Sequence, residues 1–100
     1  MAKLTKAQRA HLRRLGHDLK PVVLMGAAGL TDPVLAEIRG ALDHHELVKV
    51  RVRGADRDGR DATIGRICAE TGAELVQRIG HVALLWRPNP ERRRVSLPAG

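Results

Sequence analysis

Between Pro21 and Pro33 the chain leaves itself little conformational choice. The apolar run Val22-Val23-Leu24-Met25 ends at Gly26-Ala27-Ala28-Gly29, and Thr31-Asp32-Pro33 follows at once. The run is a strand candidate, and the two glycines let the backbone turn sharply with no Cβ in the way. Thr31 suits a helix N-cap, Asp32 complements the helix dipole, and Pro33 is tolerated in a first turn. A strand that passes through a glycine turn into a helix start imposes a β–α unit. Its turn amides, with those of the first helical residues, form a seat for a phosphate.

The remaining elements follow from periodicity. Thr5 and Gln8 form a capping-box pattern ahead of a helix over Lys6–Leu15, with Gly16 as its stop. Leu4, Leu12, Leu15 and Leu19 fall on one side of that helix, and Lys6, Arg9 and Arg13 on the other. A strand is predicted at Val22–Met25. Helix two starts after Thr31, with Val34, Leu35, Ile38, Ala41, Leu42 and His45 on its inner face, where His45 is expected to pack in the core. Strand two, Leu47–Arg53, alternates: Val48, Val50 and Val52 point one way, and Lys49, Arg51 and Arg53 the other. Those three cations need solvent or an anion. Gly54–Gly59 is a polar turn. Helix three covers Arg60–Thr71 and ends at Gly72, with Ile64, Ile67, Cys68 and Thr71 inward. Strands at Glu74–Ile79 and His81–Trp86 form a hairpin about Gly80. The order α-β-α-β-α-β-β predicts an α/β fold, a two-layer sandwich with a four-stranded mixed sheet. The domain spans residues 1–87, and the prolines and arginines of 88–100 read as a basic, flexible tail.

Charge narrows the partners. The chain has 100 residues and a net charge of +7, with an isoelectric point near 11. Residues 1–20 contribute a net +5, residues 87–100 a net +3, and everything between a net −1. An excess confined to the two ends favours a binding face over a general solubility device. No apolar run approaches the roughly 18 residues of a membrane span. The N-terminus has no signal-peptide core, and the single cysteine suits a reducing compartment, so the expected location is cytoplasmic.

Catalysis finds few residues to work with. There is no Tyr or Phe, and His44 and His45 diverge on a helix. His11, His17 and His81 have no Cys or carboxylate at metal-ligand spacing. Cys68 reads as a buried structural thiol. Asp56, Asp58 and Asp61 are interleaved with Arg57 and Arg60 and fit a solvated turn with a helix cap better than a calcium loop. Gly26–Gly29 is neither a P-loop nor a dinucleotide fingerprint. The expectation is no enzyme, no metal, no cofactor, no small-molecule substrate and no membrane.

Nucleic-acid binding accommodates the same residues. Trp86 is the only Phe, Tyr or Trp and reads as a core anchor at the end of a strand, so a stacking platform is excluded. Backbone contacts from the glycine turn and Lys/Arg clusters remain. They recognise shape and charge, with steep salt dependence.

Three stretches also resemble a known family. His17–Thr31, Val34–Ile38 and His44–Val50, with Glu70-Thr71-Gly72-Ala73, Ile79-Gly80 and Leu85-Trp86-Arg87-Pro88, are similar to the YhbY family. Its members are single-domain bacterial relatives within the CRM group (chloroplast RNA splicing and ribosome maturation). The likeness covers about residues 3–97. It implies a fold similar to the C-terminal domain of translation initiation factor three. It also implies an RNA-binding protein that associates with precursors of the large ribosomal subunit, and it maps the family's Gly-x-x-Gly loop onto Gly26–Gly29. Many relatives carry Lys or Arg inside that loop, where this chain has Ala27 and Ala28. The expected RNA contacts are therefore Gly26, Ala27, Ala28, Gly29, nearby Lys20, Thr31, Lys6, Arg9, Arg13, Lys49 and Arg51. A monomer is expected. The competing reading is a protein-interaction module that docks on ribosomal proteins or an assembly factor.

Overall fold

Thr5 opens helix α1 (Lys6–Gly16) through the expected reciprocal cap: its Oγ1 accepts from Gln8 N at 3.1 Å, and Gln8 Oε1 accepts from Thr5 N at 3.0 Å. In the computed structural model, which describes residues 4–54, 56–91, 93 and 95–98, six further elements follow. They are β1 (Pro21–Leu24), α2 (Asp32–His45), β2 (Leu47–Arg51), α3 (Arg57–Thr71), β3 (Glu74–Ile79) and β4 (Val82–Trp86). Lys3, Arg92 and Arg94 of the basic ends, with Ala99 and Gly100 of the tail, lie outside the described residues. Helix α3 starts three residues before the expected Arg60, because Asp56 Oδ1 accepts from Gly59 N at 2.8 Å and caps it there. Gly72 ends it in the left-handed conformation, φ 76°.

The strands pair in the order β1-β2-β4-β3. β1 and β2 are parallel, joined by the α2 crossover, and β4 lies antiparallel between β2 and β3. The sheet is therefore mixed, as its order predicts. Val48, Val50 and Val52 face a core with Val23, Ile38, Leu42, Ile64, Ile67 and Leu85. On the opposite face Leu12 of α1 packs against Leu47, Val76, Leu84 and Trp86. Helix thus covers both faces, and the expected two layers become α2 and α3, sheet, and α1. The reason lies in β4: its run Ala83-Leu84-Leu85-Trp86 is buried on both sides, so each face needs a cover.

Three expected core residues sit elsewhere. Leu15, in the last turn of α1, is 44% exposed, and Leu19, beyond the end of α1, is 39% exposed. His45 is exposed at the end of α2. Gly16 is the last helical residue and not a left-handed stop; a Cβ there would meet Leu84 Cδ2 at 2.5 Å and Cδ1 at 2.8 Å. Gly40, inside α2, would meet nothing within 4 Å. The two Gly→Ala variants should therefore move stability in opposite directions. Gly16→Ala loses about 1–3 kcal/mol by overpacking, and Gly40→Ala gains about 0.5–1 kcal/mol. Urea midpoints of the two proteins check this.

The segment 88–98, expected to be part of a flexible tail, makes specific contacts at its described residues. Val95 and Leu97 pack beside Leu12 and Trp86. Gln8 Nε2 donates to Pro98 O at 3.0 Å, and His11 Nε2 stands 3.0 Å from Ser96 O. The segment is held chiefly by Glu46. This residue is fully buried, sits at φ 61°, and accepts from Asn89 N at 2.5 Å and Val95 N at 2.9 Å. Arg93 Nε adds an ion pair at 3.4 Å.

Candidate nucleic-acid interface

The topology gathers loops at one end of the sheet. Because β1, β2 and β3 share a direction and β4 opposes them, three carboxyl ends and the start of β4 meet there. The short connections out of β1 and β2 bring the N-termini of α2 and α3 to the same end. Open α/β sheets bind ligands at this end, and helix N-termini favour anions.

Gly26, Ala27 and Ala28 are exposed there, and Gly29 is partly so. The turn closes on itself: Gly29 N donates to Gly26 O at 3.0 Å, with Gly29 at φ 76°. The amides of Gly26, Ala27 and Ala28 have no intramolecular partner among the described residues. Three unpaired donors on an exposed bend can receive phosphate oxygens. Thr31 Oγ1 is occupied as the helix cap, accepting from Val34 N at 3.4 Å.

Beside this turn a cleft of about 270 Å³ is lined by Met25, Arg51, Val52, Arg53, Gly54 and His81. Backbone bonds fix it: Met25 N donates to Arg51 O at 3.0 Å, and Val52 N to His81 O at 2.7 Å. Arg51 and Arg53 are exposed. Across the sheet the register sets Leu24, Arg51, Val82 and Ile79 in one row on the α1 side. Leu24 is 66% and Ile79 64% exposed, so Arg51 stands between two uncovered aliphatics.

The other expected contact residues scatter. Lys20 is not near the glycine turn: β1 lies between them, and six extended residues at roughly 3.3 Å each put them about 20 Å apart. Lys49 is turned to the protein itself, its Nζ donating to Leu19 O at 2.9 Å and His17 O at 3.5 Å. Arg9 likewise donates to Leu75 O at 2.6 Å and Val76 O at 3.3 Å, beside Glu74 at 3.9 Å. Lys6 and Arg13 are exposed on α1, Arg13 in a shallow groove with Arg14, His17, Gln77 and Ile79. The sheet end thus unites Gly26–Gly29, Thr31 and Arg51, and leaves Lys6, Arg9, Arg13, Lys20 and Lys49 outside it.

His81, and Arg53 beyond its place among the three cations of strand two, were not among the expected contacts. The signal was available: parallel β1 and β2, with a hairpin returning at Gly80, place their ends together. Trp86 is 2% exposed, a core anchor as expected. Burial, then the Glu74 carboxylate, pushes the half-buried Cys68 thiol up from its usual value, which makes it a poor nucleophile. Asp56 caps α3, and Asp61 holds Arg78 at 2.6 Å. Among the described residues no three His, Cys, Asp or Glu side chains converge as metal donors, and no helix is long and apolar enough to cross a membrane.

The model of the CRS1/YhbY (CRM) domain matches residues 4–87. An RNA-binding protein of Haemophilus influenzae is 49% identical over 98 residues, covering 98% of both chains. A protein of Bacillus subtilis named a probable RNA-binding protein is 30% identical over 95 residues, covering 95% of this chain and 99% of its own. The solution structure of a hypothetical protein from Staphylococcus aureus superposes with a TM-score of 0.82 at 30% identity, covering 96% of this chain and all of that one. The chain belongs to the CRS1/YhbY (CRM) domain family.

Proposed function

We propose that this protein binds structured ribosomal RNA in precursors of the large ribosomal subunit, in the cytoplasm and without catalysis. Gly26–Gly29 seats a phosphate, and Arg51 and Arg53 neutralise its neighbours along the backbone. The observation that carries this reading is the exposed turn with three unpaired amides, set beside two exposed arginines at the end of the sheet. The relatives named as RNA-binding proteins support the choice of nucleic acid. The likeness to single-domain bacterial members of the family supports ribosomal RNA in particular. Buried Trp86 leaves no aromatic platform, so contacts go to ribose and phosphate and not to base faces.

Gly26→Asp tests the loop. An added Cβ at Gly26 meets nothing within 4 Å, so the fold should survive. A carboxylate among the amides repels the phosphate, and affinity for large-subunit RNA fragments is expected to fall about tenfold, or 1.4 kcal/mol. Gly29→Asp is a poorer probe, since φ 76° adds backbone strain. A folded Gly26→Asp protein that binds as tightly as the parent removes the loop from the interface.

A further inference from the structure

A second surface lies at the other end of β1, away from the glycine turn. There a groove of about 720 Å³ runs between the end of α1, the start of β1, the end of α2 and the C-terminal segment. Leu15, Leu19, Val22 and Val95 form its apolar wall, and Lys20 and His45 stand at its edge. Leu15 is 44%, Leu19 39% and Val22 49% exposed, three large aliphatics clustered on a chain otherwise rich in charge. Contiguous exposed apolar surface marks association.

The geometry points to a docking groove for an acidic protein segment, one that inserts two or three aliphatic side chains between flanking carboxylates. The wall is aliphatic, its only rings are the imidazoles of His11 and His45 at the edge, and no arginine is among the described lining residues, so it suits methyl groups better than nucleotides. The groove's titratable groups are Lys20, His11 and His45, with no carboxylate among the described lining residues. That edge complements acidic side chains. It repels a second copy of this chain, which carries +7 itself. The wall is also held in place before binding. Glu46 fixes Val95 through its amide at 2.9 Å, and Ser96 O stands 3.0 Å from His11. A preformed wall lowers the ordering cost of association. RNA at the sheet end and a protein segment here would occupy the chain together.

Selection of a random peptide library on the full chain tests this inference, with Leu19→Asp as the contrast. Leu19 is exposed outside any helix or strand, so this variant keeps the fold and the RNA-binding end. Enriched peptides are expected to pair aliphatic residues with Asp or Glu and to bind Leu19→Asp at least about tenfold more weakly. The inference is overturned if no peptide is enriched, or if peptides bind both proteins equally. It is also overturned if Leu19→Asp loses ribosomal RNA affinity, because the groove then belongs to RNA. Failure of peptide binding alone leaves the RNA reading standing.

Discussion

Glu46→Leu is expected to lower the unfolding free energy by about 2–4 kcal/mol, the scale for leaving two partly buried amide donors without an acceptor. The buried Glu46 carboxylate accepts from the amides of Asn89 and Val95, and Arg93 Nε stands 3.4 Å from it. Leucine has a similar size but accepts nothing, so both amides lose their acceptor, while half-exposed Arg93 returns to water. The backbone at φ 61° makes the case sharper. A non-glycine residue held there costs on the order of 1–3 kcal/mol, and the Glu46 side-chain contacts offset it. A domain this size has roughly 5–15 kcal/mol in total, so the loss is a large share. Glu46→Gln keeps an acceptor and should lose clearly less. Urea unfolding of the two variants gives the difference. Amide exchange at Val95 should rise in Glu46→Leu while exchange at Val50, in the core, stays slow. Equal stabilities for Leu and Gln would mean that the carboxylate is not what anchors this segment.

Glu46 also shows where sequence reading stops. Nothing around His44-His45-Glu46-Leu47 marks that carboxylate as buried, because its partners are main-chain amides more than 40 residues away. Local signals were legible where the physics is local. Thr5 and Gln8 cap as their spacing implies, Gly72 turns left-handed, and the alternation of Val48, Val50 and Val52 marks the core face of β2. Periodicity gave α1 an apolar side but could not say which face of the sheet it covers, nor that Leu15 and Leu19 would pass beyond the core. The strong basic bias at the N-terminus drew Arg9 and Lys20 into the candidate site. In the fold Arg9 caps the carbonyls of β3, and Lys20 lies at the wrong end of β1. The glycine turn was legible because Gly-x-x-Gly is a backbone requirement. Arg53 becomes its neighbour through the parallel pairing of β1 with β2, and His81 through the position of β4 beside β2.

Reversing charge at that strand end separates the two candidate RNA faces. Arg51→Glu with Arg53→Glu should weaken binding to large-subunit RNA fragments by about 100-fold near 0.1 M salt. Two lost phosphate contacts also flatten the slope of log affinity against log salt by roughly 1.5. Both side chains are exposed, and neither is in an ion pair among the described residues, so the fold has little reason to change. Lys6→Glu with Lys20→Glu changes net charge by the same amount on the α1 side and at the opposite end of β1. Long-range attraction alone would make the two doubles equal. A bound phosphate track past Gly26–Gly29 makes the Arg51/Arg53 double much the more damaging, since screening over about 10 Å blunts distant charges. Binding curves at several salt concentrations supply both the affinity and the slope. If the Lys6/Lys20 double proves the more damaging, RNA runs along α1, and the glycine turn with its arginines is a bystander.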